Sequence, residues 1–259
     1  MTTTEHSGSG DISRSLELLW GTGERPSRGP RPGLTLERIV TAAIGIADAE
    51  GLAAVSMRRL SAELGTGTMS LYRYVPGKAE LLDLMLDQVQ AFDHDAHAPD
   101  LGWRETLETV ARGFWQLLGR HPWLLQVDQS RPILGPNAMA GLEFALRGLD
   151  GIGLTDRERV HVIVTVEGFA TGIARTHLNS VTAEKRTGVS DEEFWKAHAP
   201  AMEKALASGR FPMQAALGED AFTGRGEDIF EFGLRSLLDG IGAFIAARAR
   251  ARARDAAEK

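Results

Sequence analysis

The sequence contains no cysteine, which excludes a disulfide scaffold, a thiolate zinc site and a thiol nucleophile. Long apolar runs are absent as well, because none approaches the roughly 20 residues that a membrane-spanning helix needs. The first residues, Met1 to Asp11, are small and polar and lack the basic and apolar regions of an export signal. We therefore expect a cytoplasmic protein with no membrane partner.

The signatures of common enzyme classes are also missing. The sequence has no phosphate-binding loop, no GxSxG nucleophile elbow and no HExxH zinc motif, the patterns that would place catalytic groups. We predict that the protein is not an enzyme and uses no cofactor.

The polar run from Asp93 to Asp100 raises the question of a metal site, because His94 and His97 can share one face of a helix. The run lies where a helix is expected to end before Pro99, however, and such a cluster at a frayed helix end is more often solvated than ligating. We predict no metal site there.

Positive charge is also in short supply, with 29 basic against 35 acidic residues and a net charge of −6. This balance argues against a protein that simply coats nucleic acid. Within residues 25–80, however, eight Lys and Arg stand against five Asp and Glu. A basic segment in an otherwise acidic chain suggests a local nucleic-acid footprint.

The spacing of apolar residues is helical along the chain, and no stretch alternates with a period of two. We predict an all-α protein without a sheet, in which an N-terminal three-helix helix-turn-helix domain precedes a C-terminal helical ligand-binding and dimerisation domain. The predicted divisions are an arm that is disordered or a short helix (1–33), the DNA-binding domain (34–80), the sensing and dimerisation domain (81–250) and a tail (251–259).

Within the arm, residues 1–11 are expected to be disordered, Ile12–Trp20 to form a short helix, and Gly21–Gly33 to form a linker rich in Gly and Pro. The linker carries Arg25, Arg28 and Arg31. These arginines either lie in a DNA minor groove or along phosphates, as basic arms do, or they keep a linker soluble.

Further helices are predicted at about 102–119, 121–128, 136–150, 155–178, 190–207 and 226–250. Two of them begin with capping boxes, Thr155 with Glu158 and Ser190 with Glu193.

Three short helices, separated by a turn at Gly65, fall between Thr35 and Val75, which is the helix-turn-helix arrangement. Thr35 and Ser56 are suited to cap the first two helices. A fourth helix opens at Lys78 and is expected to continue to about Ala96. The third helix presents small hydroxyl side chains that let its backbone approach base edges, whereas the tyrosine hydroxyls and Lys78 suit phosphates. The outward residues of this region are Thr66, Gly67, Thr68, Ser70, Tyr72, Arg73 and Tyr74.

These residues carry a family resemblance. The marks are the turn motif Met57–Gly65, the helix end Leu71–Val75 and the opening of the fourth helix at Lys78, Leu81 and Leu82. With them, the stretch from Thr35 to Met85 resembles the DNA-binding domain of the tetracycline-repressor (TetR) family.

The resemblance implies that the helix Thr68–Tyr74 enters the major groove of a double-stranded DNA operator. Thr68, Met69 and Ser70 would then face bases, and Arg58 would reach a base or a phosphate. Tyr72, Tyr74 and Lys78 would contact the DNA backbone. A homodimer would bind a near-palindrome as a repressor and would be released by a small-molecule inducer.

The C-terminal part is similar to this family more loosely, at Phe114–Leu118, Ser130–Pro132 and Gly168–Gly172. In the tetracycline repressor a His and a Glu serve the magnesium–drug complex, and the matching positions here hold Val127 and Thr176. Neither side chain suits a hard cation, so the inducer is not expected to be a magnesium-chelated tetracycline.

Aromatic and polar residues of this domain are candidates for the wall of an inducer pocket, since helical ligand sites are mostly apolar with a few polar groups. Aromatic residues at helical spacing are, alternatively, ordinary core. The candidates are Trp115, Trp123, Gln126, Arg131, Phe144, Phe169 and His177.

The helices at about 155–178 and 226–250 are the expected dimer surface, because small residues recur on both and permit close packing across a two-fold axis. Alternatively, they pack only within one protomer. A rival interpretation of the whole chain is a structural DNA-binding protein that has no ligand.

Overall fold

The computed structural model describes residues 5–21, 34–91, 101–218, 221 and 225–257. Within these ranges the chain is almost entirely helical, as the sequence predicts. No helix among the described residues is both long and apolar enough to cross a membrane.

The segment predicted to bind DNA, called the head from here on, consists of α2 (Leu36–Glu50), α3 (Met57–Glu63) and α4 (Thr68–Tyr72), with a short 3₁₀ turn at Leu52–Ala54. The predicted caps are present. Thr35 Oγ1 accepts a hydrogen bond from the N–H of Arg38, and Ser56 Oγ accepts one from the N–H of Arg59, both at 3.1 Å. Gly65 adopts a positive φ of 62° at the turn before α4, a conformation that L side chains rarely adopt. The three helices share a core of fully buried side chains, which includes Ile39, Ala43, Leu60, Leu71 and Val75.

Helix α5 (Lys78–Val89) connects the head to the rest of the chain. Every residue from Glu80 to Asp87 is buried, so this helix is surrounded on all sides. The prediction that this helix continues to about Ala96 is wrong, because the helix ends at Val89 with Gln90 as its C-cap. Residues 92–100 lie outside the described residues. The predicted division between residues 80 and 81 falls inside this helix.

The described residues of the C-terminal part form six further helices and a short 3₁₀ segment, Pro122–Gln126. Helix α8 packs against both α6 and α11 and begins at the predicted capping box of Thr155 and Glu158. The helices are α6 (Trp103–Arg120), α7 (Pro136–Gly148), α8 (Asp156–Thr187), α9 (Asp191–Ala207), α10 (Pro212–Ala215) and α11 (Gly226–Ala257).

Helix α4 ends at Tyr72 and not at Tyr74 as predicted, and the C-terminal part departs from the sequence prediction at three further places. Helix α8 continues past residue 178 to Gly188, whose positive φ of 73° ends it, and α11 continues past residue 250. The segment predicted as a helix at 121–128 is instead 3₁₀ up to Gln126 and then extended, forming β2 (Val127–Asp128).

The N-terminal segment is the main departure. Residues 5–11 were expected to be disordered, yet β1 (Glu5–His6) pairs in parallel with β2, Glu5 opposite Val127 and His6 opposite Asp128. The prediction that the protein has no sheet is therefore wrong, because β1 and β2 form a two-stranded parallel sheet of two residues per strand. Helix α1 (Ile12–Trp20) follows where it was predicted, capped by Asp11.

The core is divided into two clusters. One contains the interior of the head and continues along α5 to Leu117, Trp123 and Val127. The other lies between α6, α7, α8 and α11, with Leu107, Phe230, Leu234 and Leu238 fully buried. Apolar packing is therefore continuous from the head into the C-terminal part, which allows a displacement in one to reach the other.

Candidate DNA-binding surface and ligand cavity

Helix α4 turns one side to the core and the other to solvent. Leu71 is fully buried against α3, whereas Met69 is 75% exposed and Tyr72 is 45% exposed. Arg73, at the C-terminal end of α4, is exposed, and Thr66, Thr68 and Ser70 are partly exposed. Six of the residues predicted to face DNA are thus at least partly exposed.

Two adjacent arginines at the start of α3 differ in their partners. The Arg59 guanidinium binds Glu50 at 2.6 Å and Glu63 at 2.8 Å, and its hydrogen bond lowers the pKa of the Glu50 carboxyl. Arg58 is exposed, and its side chain forms no ion pair with any described residue. Arg58 is the one of the two whose charge is available to DNA.

Tyr74 and Lys78, which were expected to contact the DNA backbone, have partners within the protein. The Tyr74 hydroxyl donates to the carbonyl oxygen of Leu34 at 3.1 Å. The Lys78 ammonium donates to Glu5 Oε1 at 2.8 Å. Because Lys78 is about two-thirds buried in this pair, it is held against the N-terminal segment.

A cavity of about 1530 Å³ lies between the head-connecting helix and the C-terminal helices. Such a volume is ample for a drug-sized molecule. Helices α5, α6, α7 and α8 and the segment from Leu124 to Leu134 contribute to its wall. Representative side chains are Leu86, Val89, Phe114, Leu117, Gln126, Leu142, Phe144, Ile163 and Glu167.

The predicted pocket residues separate into two groups. Gln126 and Phe144 line the cavity. The remaining five do not, and four of them are packed in the core, as the alternative interpretation has it. Trp115 stacks on His177 and Phe230, Phe169 packs on Phe230, Trp123 is 2% exposed, and Arg131 is on the surface.

The sequence analysis missed three carboxylates of α5, Glu80, Asp83 and Asp87, all buried. Asp83 accepts hydrogen bonds from the N–H of Gly8 at 2.9 Å and from the hydroxyl of Ser15 at 2.7 Å. Glu80 Oε1 accepts from the N–H of Asp11 at 2.9 Å. These bonds attach the N-terminal segment to the helix that carries the head.

Asp87, one turn further along the same face of α5, attaches this helix to the C-terminal part. Its carboxylate accepts from Asn137 Nδ2 and from the N–H of Ala138, both at 3.0 Å, at the first turn of α7. A carboxylate at a helix N-terminus is favourably placed for the helix dipole. The available signal was the sequence of α5, in which carboxylates interrupt an otherwise apolar helix.

A second connection joins the head to the cavity wall. Asp48 Oδ1, near the end of α2, accepts a hydrogen bond from the Trp123 indole N–H at 2.8 Å and lies 2.8 Å from His121 Nδ1. Trp123 is therefore a link between α2 and the 3₁₀ segment, whose next residues, Leu124 to Gln126, line the cavity.

The outer face of α11 carries a row of apolar and small residues without a charged member. Phe232 is 74% exposed and Ile229 is 51% exposed. Spacings of three and four place these residues in one stripe along the helix. All are exposed: Ile229, Phe232, Ser236, Gly240, Ala243 and Ala247.

Some of the small residues that were expected at a dimer surface pack inside the protomer instead. A Cβ on Gly233 would lie 2.6 Å from the Phe169 ring, and Ala174 is 2% exposed. Gly168 and Gly172 are open but line the cavity.

Two predicted features fall outside the described residues: the arginines at 25, 28 and 31, and the Asp/His run at 93–100. Within the described part of the chain, no group of three or more His, Cys, Asp and Glu side chains could hold a metal ion.

Comparison with known proteins gives matches over nearly the whole chain. Residues 39–85 match the family described as "Bacterial regulatory proteins, tetR family", and residues 97–245 match "Tetracyclin repressor-like, C-terminal domain". The HTH-type transcriptional repressor DrrR1 of Streptomyces coeruleorubidus is 59% identical over 247 residues, which cover 95% of this chain and 91% of that protein.

Two solved structures have the same fold. Apo ActR from Streptomyces coelicolor superposes with a TM-score of 0.65 at 30% identity, covering 86% of this chain and 100% of that chain. The complex of ActR with actinorhodin gives a TM-score of 0.65 at 32% identity, covering 82% and 99%.

Proposed function

The chain belongs to the TetR family of DNA-binding transcriptional regulators, and from this premise we propose that it represses transcription as a homodimer on a palindromic operator. A small molecule that binds in the cavity would release it from DNA. The family is regulatory rather than enzymatic, and the proposal includes no catalytic step.

On the DNA side, the outer surface of α4 supports major-groove binding. Thr66, Thr68, Met69 and Ser70 are the side chains we assign to base edges, because their short or flexible groups lie at the exposed start of the helix. We assign the DNA backbone to the polar groups around the end of α4 and its flanks, namely Arg58, Tyr72, Arg73, Tyr74 and Lys78.

For the dimer, the uncharged stripe on α11 is the supporting observation. Exposing 74% of a phenylalanine such as Phe232 to water is unfavourable, and an uncharged stripe of apolar and small residues on a long helix is suited to binding a partner. A second copy of the same helix is its natural occupant, since a two-fold axis brings identical faces together. Gly240 and Ala243 would then allow close approach near the axis.

The observation that carries the proposal is that α5 belongs to both sites. Asp83, Leu86 and Val89 line the cavity, while Leu81, Leu82 and Met85 are part of the core of the head. A ligand that displaces the cavity wall therefore displaces the support of α4. Two recognition helices must stand about 34 Å apart to enter successive major grooves, so a change in the orientation of each head lowers operator affinity.

The complex of the related ActR with actinorhodin supports a small organic molecule as the occupant of this cavity. The departure at Val127 and Thr176 still argues against a magnesium-chelated tetracycline, because Val127 lies on the cavity wall and offers no oxygen ligand.

The proposal is tested by a footprint of the full-length protein on the DNA upstream of its own gene. We expect protection of one palindromic site of fixed length. Protection that spreads along the fragment without a preferred site would favour the rival, a structural DNA-binding protein without a ligand.

The ligand half is tested by calorimetry. Compounds that raise the melting temperature, from a screen of dyes, antibiotics, fatty acyl compounds and actinorhodin, are titrated with and without a saturating operator duplex. Linkage requires operator DNA to weaken ligand binding by the same factor that the ligand weakens DNA binding, typically about 5–150-fold. Equal ligand affinities in the two titrations would contradict regulation through the cavity.

A further inference from the structure

Glu167 lies in the middle of α8, among the residues that line the cavity. The neighbouring positions on the same side of the helix are apolar or small, including Ile163, Val164 and Gly168. Phe114 and Leu142 contribute apolar surface from α6 and α7. A carboxylate in such surroundings is unfavourable unless it finds a partner.

The other acidic groups of the cavity wall have such partners. Asp83 accepts hydrogen bonds from the N-terminal segment, and Asp128 accepts one from the N–H of Ser130 at 2.8 Å and lies 3.4 Å from His6. Glu167 forms no hydrogen bond or ion pair with any residue that the structure describes.

Arg159 and Arg175, each about two turns from Glu167 along α8, do not compensate this carboxylate. Arg159 pairs with Asp150 and Asp156. The Arg175 guanidinium donates to the carbonyl oxygen of Leu125 at 3.1 Å. Burial raises the pKa of Glu167 to about 7. A carboxyl whose pKa is shifted by burial and that lies in a cleft is a candidate functional position.

The cavity is also open at two glycines of α8 near Glu167. A Cβ added to Gly168 or to Gly172 would meet nothing within 4 Å, so no neighbouring side chain covers the helix at these two lining positions. Thr171, one turn from Glu167, adds a hydroxyl to the same wall.

We infer that the cavity is built for an organic cation, a hydrophobic ring system that carries a protonated amine, and that Glu167 accepts a charge-assisted hydrogen bond from this amine. Such a bond is about twice as strong as one between neutral groups. The apolar cavity wall would bury the ring system of the ligand, and Glu167 would favour a ligand with a positive charge over a neutral one of the same shape. This inference rests on the proposed function, because it identifies the class of inducer.

A metal ion is the less suitable cation. The described residues contain no cluster of three or more ligating side chains, and a single carboxylate supplies too few oxygens for Mg²⁺ or Ca²⁺. The cavity volume of about 1530 Å³ also exceeds what an ion requires.

The test uses two fluorescent probes of nearly equal shape, 9-aminoacridine, which is protonated at pH 8, and acridine, which is neutral. Each is titrated into the full-length protein in the absence of DNA. We expect wild type to bind 9-aminoacridine at least about tenfold more tightly than acridine. In Glu167→Gln this preference is expected to fall to near unity, with acridine affinity unchanged or higher.

The matched control is Glu184→Gln, the same substitution at an exposed position of the same helix, which should keep the wild-type preference. Equal affinities of wild type for the two probes, binding of neither probe, or an unchanged preference in Glu167→Gln would each overturn the inference. If Glu167 instead meets a basic group of a second copy, Glu167→Gln would weaken the dimer in sedimentation and leave the preference unchanged.

Failure here is distinguishable from failure of the proposed function. The probe titrations contain no DNA, and the footprint contains no ligand. A sharp operator footprint together with no preference for the cationic probe would leave the repressor assignment intact and reject only the amine.

Discussion

The Ser15 hydroxyl donates a hydrogen bond to Asp83 Oδ2 at 2.7 Å, and both side chains are essentially inaccessible to solvent. Together with the N–H of Gly8 on the other carboxylate oxygen, this bond fixes α1 to α5. Because Asp83 also borders the cavity, the N-terminal segment, the cavity wall and the support of the head meet at one carboxylate.

Replacing Asp83 with Asn should destabilise the protein by about 2 kcal/mol or more, because hydrogen bonds to a buried charged group contribute about 1.5–3 kcal/mol each. In the Asn variant, the side-chain amide NH₂ would also take the place of one carboxylate oxygen and would face the Gly8 N–H or the Ser15 hydroxyl, which are themselves donors. Urea unfolding measures the loss, and hydrogen exchange should show faster exchange of the amides in α1. Ser15→Ala, which removes one donor, should lie between wild type and Asp83→Asn. Equal stability of all three proteins would mean that the carboxylate does not hold the segment.

The pair between Glu5 and Lys78 gives a second prediction. Both side chains are about one-third exposed, so the pair itself adds little stability, at most about 1 kcal/mol. If Lys78 is used on a phosphate, Glu5→Gln should raise DNA affinity and steepen the slope of log K against log salt by up to about 0.9.

The matched control for that measurement is Glu17→Gln. It also removes one negative charge from the N-terminal segment, but Glu17 lies on α1 and pairs with Arg14 and not with Lys78. Anisotropy titrations on operator and random duplexes give both slopes. If the two variants change affinity and slope equally, general electrostatics and not the release of Lys78 is responsible.

Residues on α4 should separate into two classes by their effect on sequence preference. Tyr72→Ala should weaken binding to operator and random DNA by the same factor, because backbone contacts carry no sequence information. Thr68→Ala should change the relative affinities for operators altered at one base pair. Competition binding against such a panel measures both. A uniform loss for Thr68→Ala, or a changed preference for Tyr72→Ala, would reverse our assignment of the helix.

Local signals explain why most of the fold was predictable. The side-chain oxygens of Thr35, Ser56 and Thr155 each accept a hydrogen bond from the backbone N–H three residues ahead. Both partners of such a cap lie within four consecutive residues, so the sequence alone indicates it. The turn at Gly65 and the apolar stripes of the head are local as well. The family resemblance rests on this same region.

The features that escaped prediction depend on contacts between distant segments. Strand β1 is two residues long and has no periodicity of its own, and it exists because Val127 and Asp128 offer a free edge. Trp123 and Phe144 look alike as pocket candidates, but the indole N–H of Trp123 is used by Asp48, whereas Phe144 faces the cavity. Only tertiary packing decides between them.

The stripe on α11 predicts a dimer that a single charge should disrupt. Phe232→Glu would bury an unpaired carboxylate in the interface of each copy, which is strongly unfavourable. We expect a monomer at micromolar concentration by sedimentation and loss of operator binding. Arg235→Glu, at an exposed position beside the stripe, is the control and should remain dimeric. A Phe232→Glu protein that still sediments as a dimer would place the interface elsewhere.

Glu167 should make stability depend on pH in a direction opposite to that of a paired carboxylate. Burial raises its pKa from 4.5 to about 7, so between these values the folded protein holds a proton that the unfolded chain releases. Stability therefore falls as pH rises through this window, and the loss is complete above pH 7.

The charged groups that share the cavity wall with Glu167 are Asp83 on α5, Arg120 on α6, Asp128 on β2, and Arg175 and Arg186 on α8. Helix α7 contributes none from its described lining residues. These groups are the same in wild type and in every variant, so comparing variants at each pH isolates the contribution of Glu167.

Glu167→Gln should match wild type in urea unfolding near pH 5 and become more stable at pH 8.5, by at most about 3 kcal/mol for a shift of this size. Glu184→Gln, on the exposed part of α8, should track wild type at both pH values. Saturating 9-aminoacridine should narrow the gap at pH 8.5, because the protonated amine supplies the partner that the carboxylate lacks. If Glu167→Gln and wild type differ by the same amount at both pH values, the carboxyl is solvated in the folded protein and carries no buried charge.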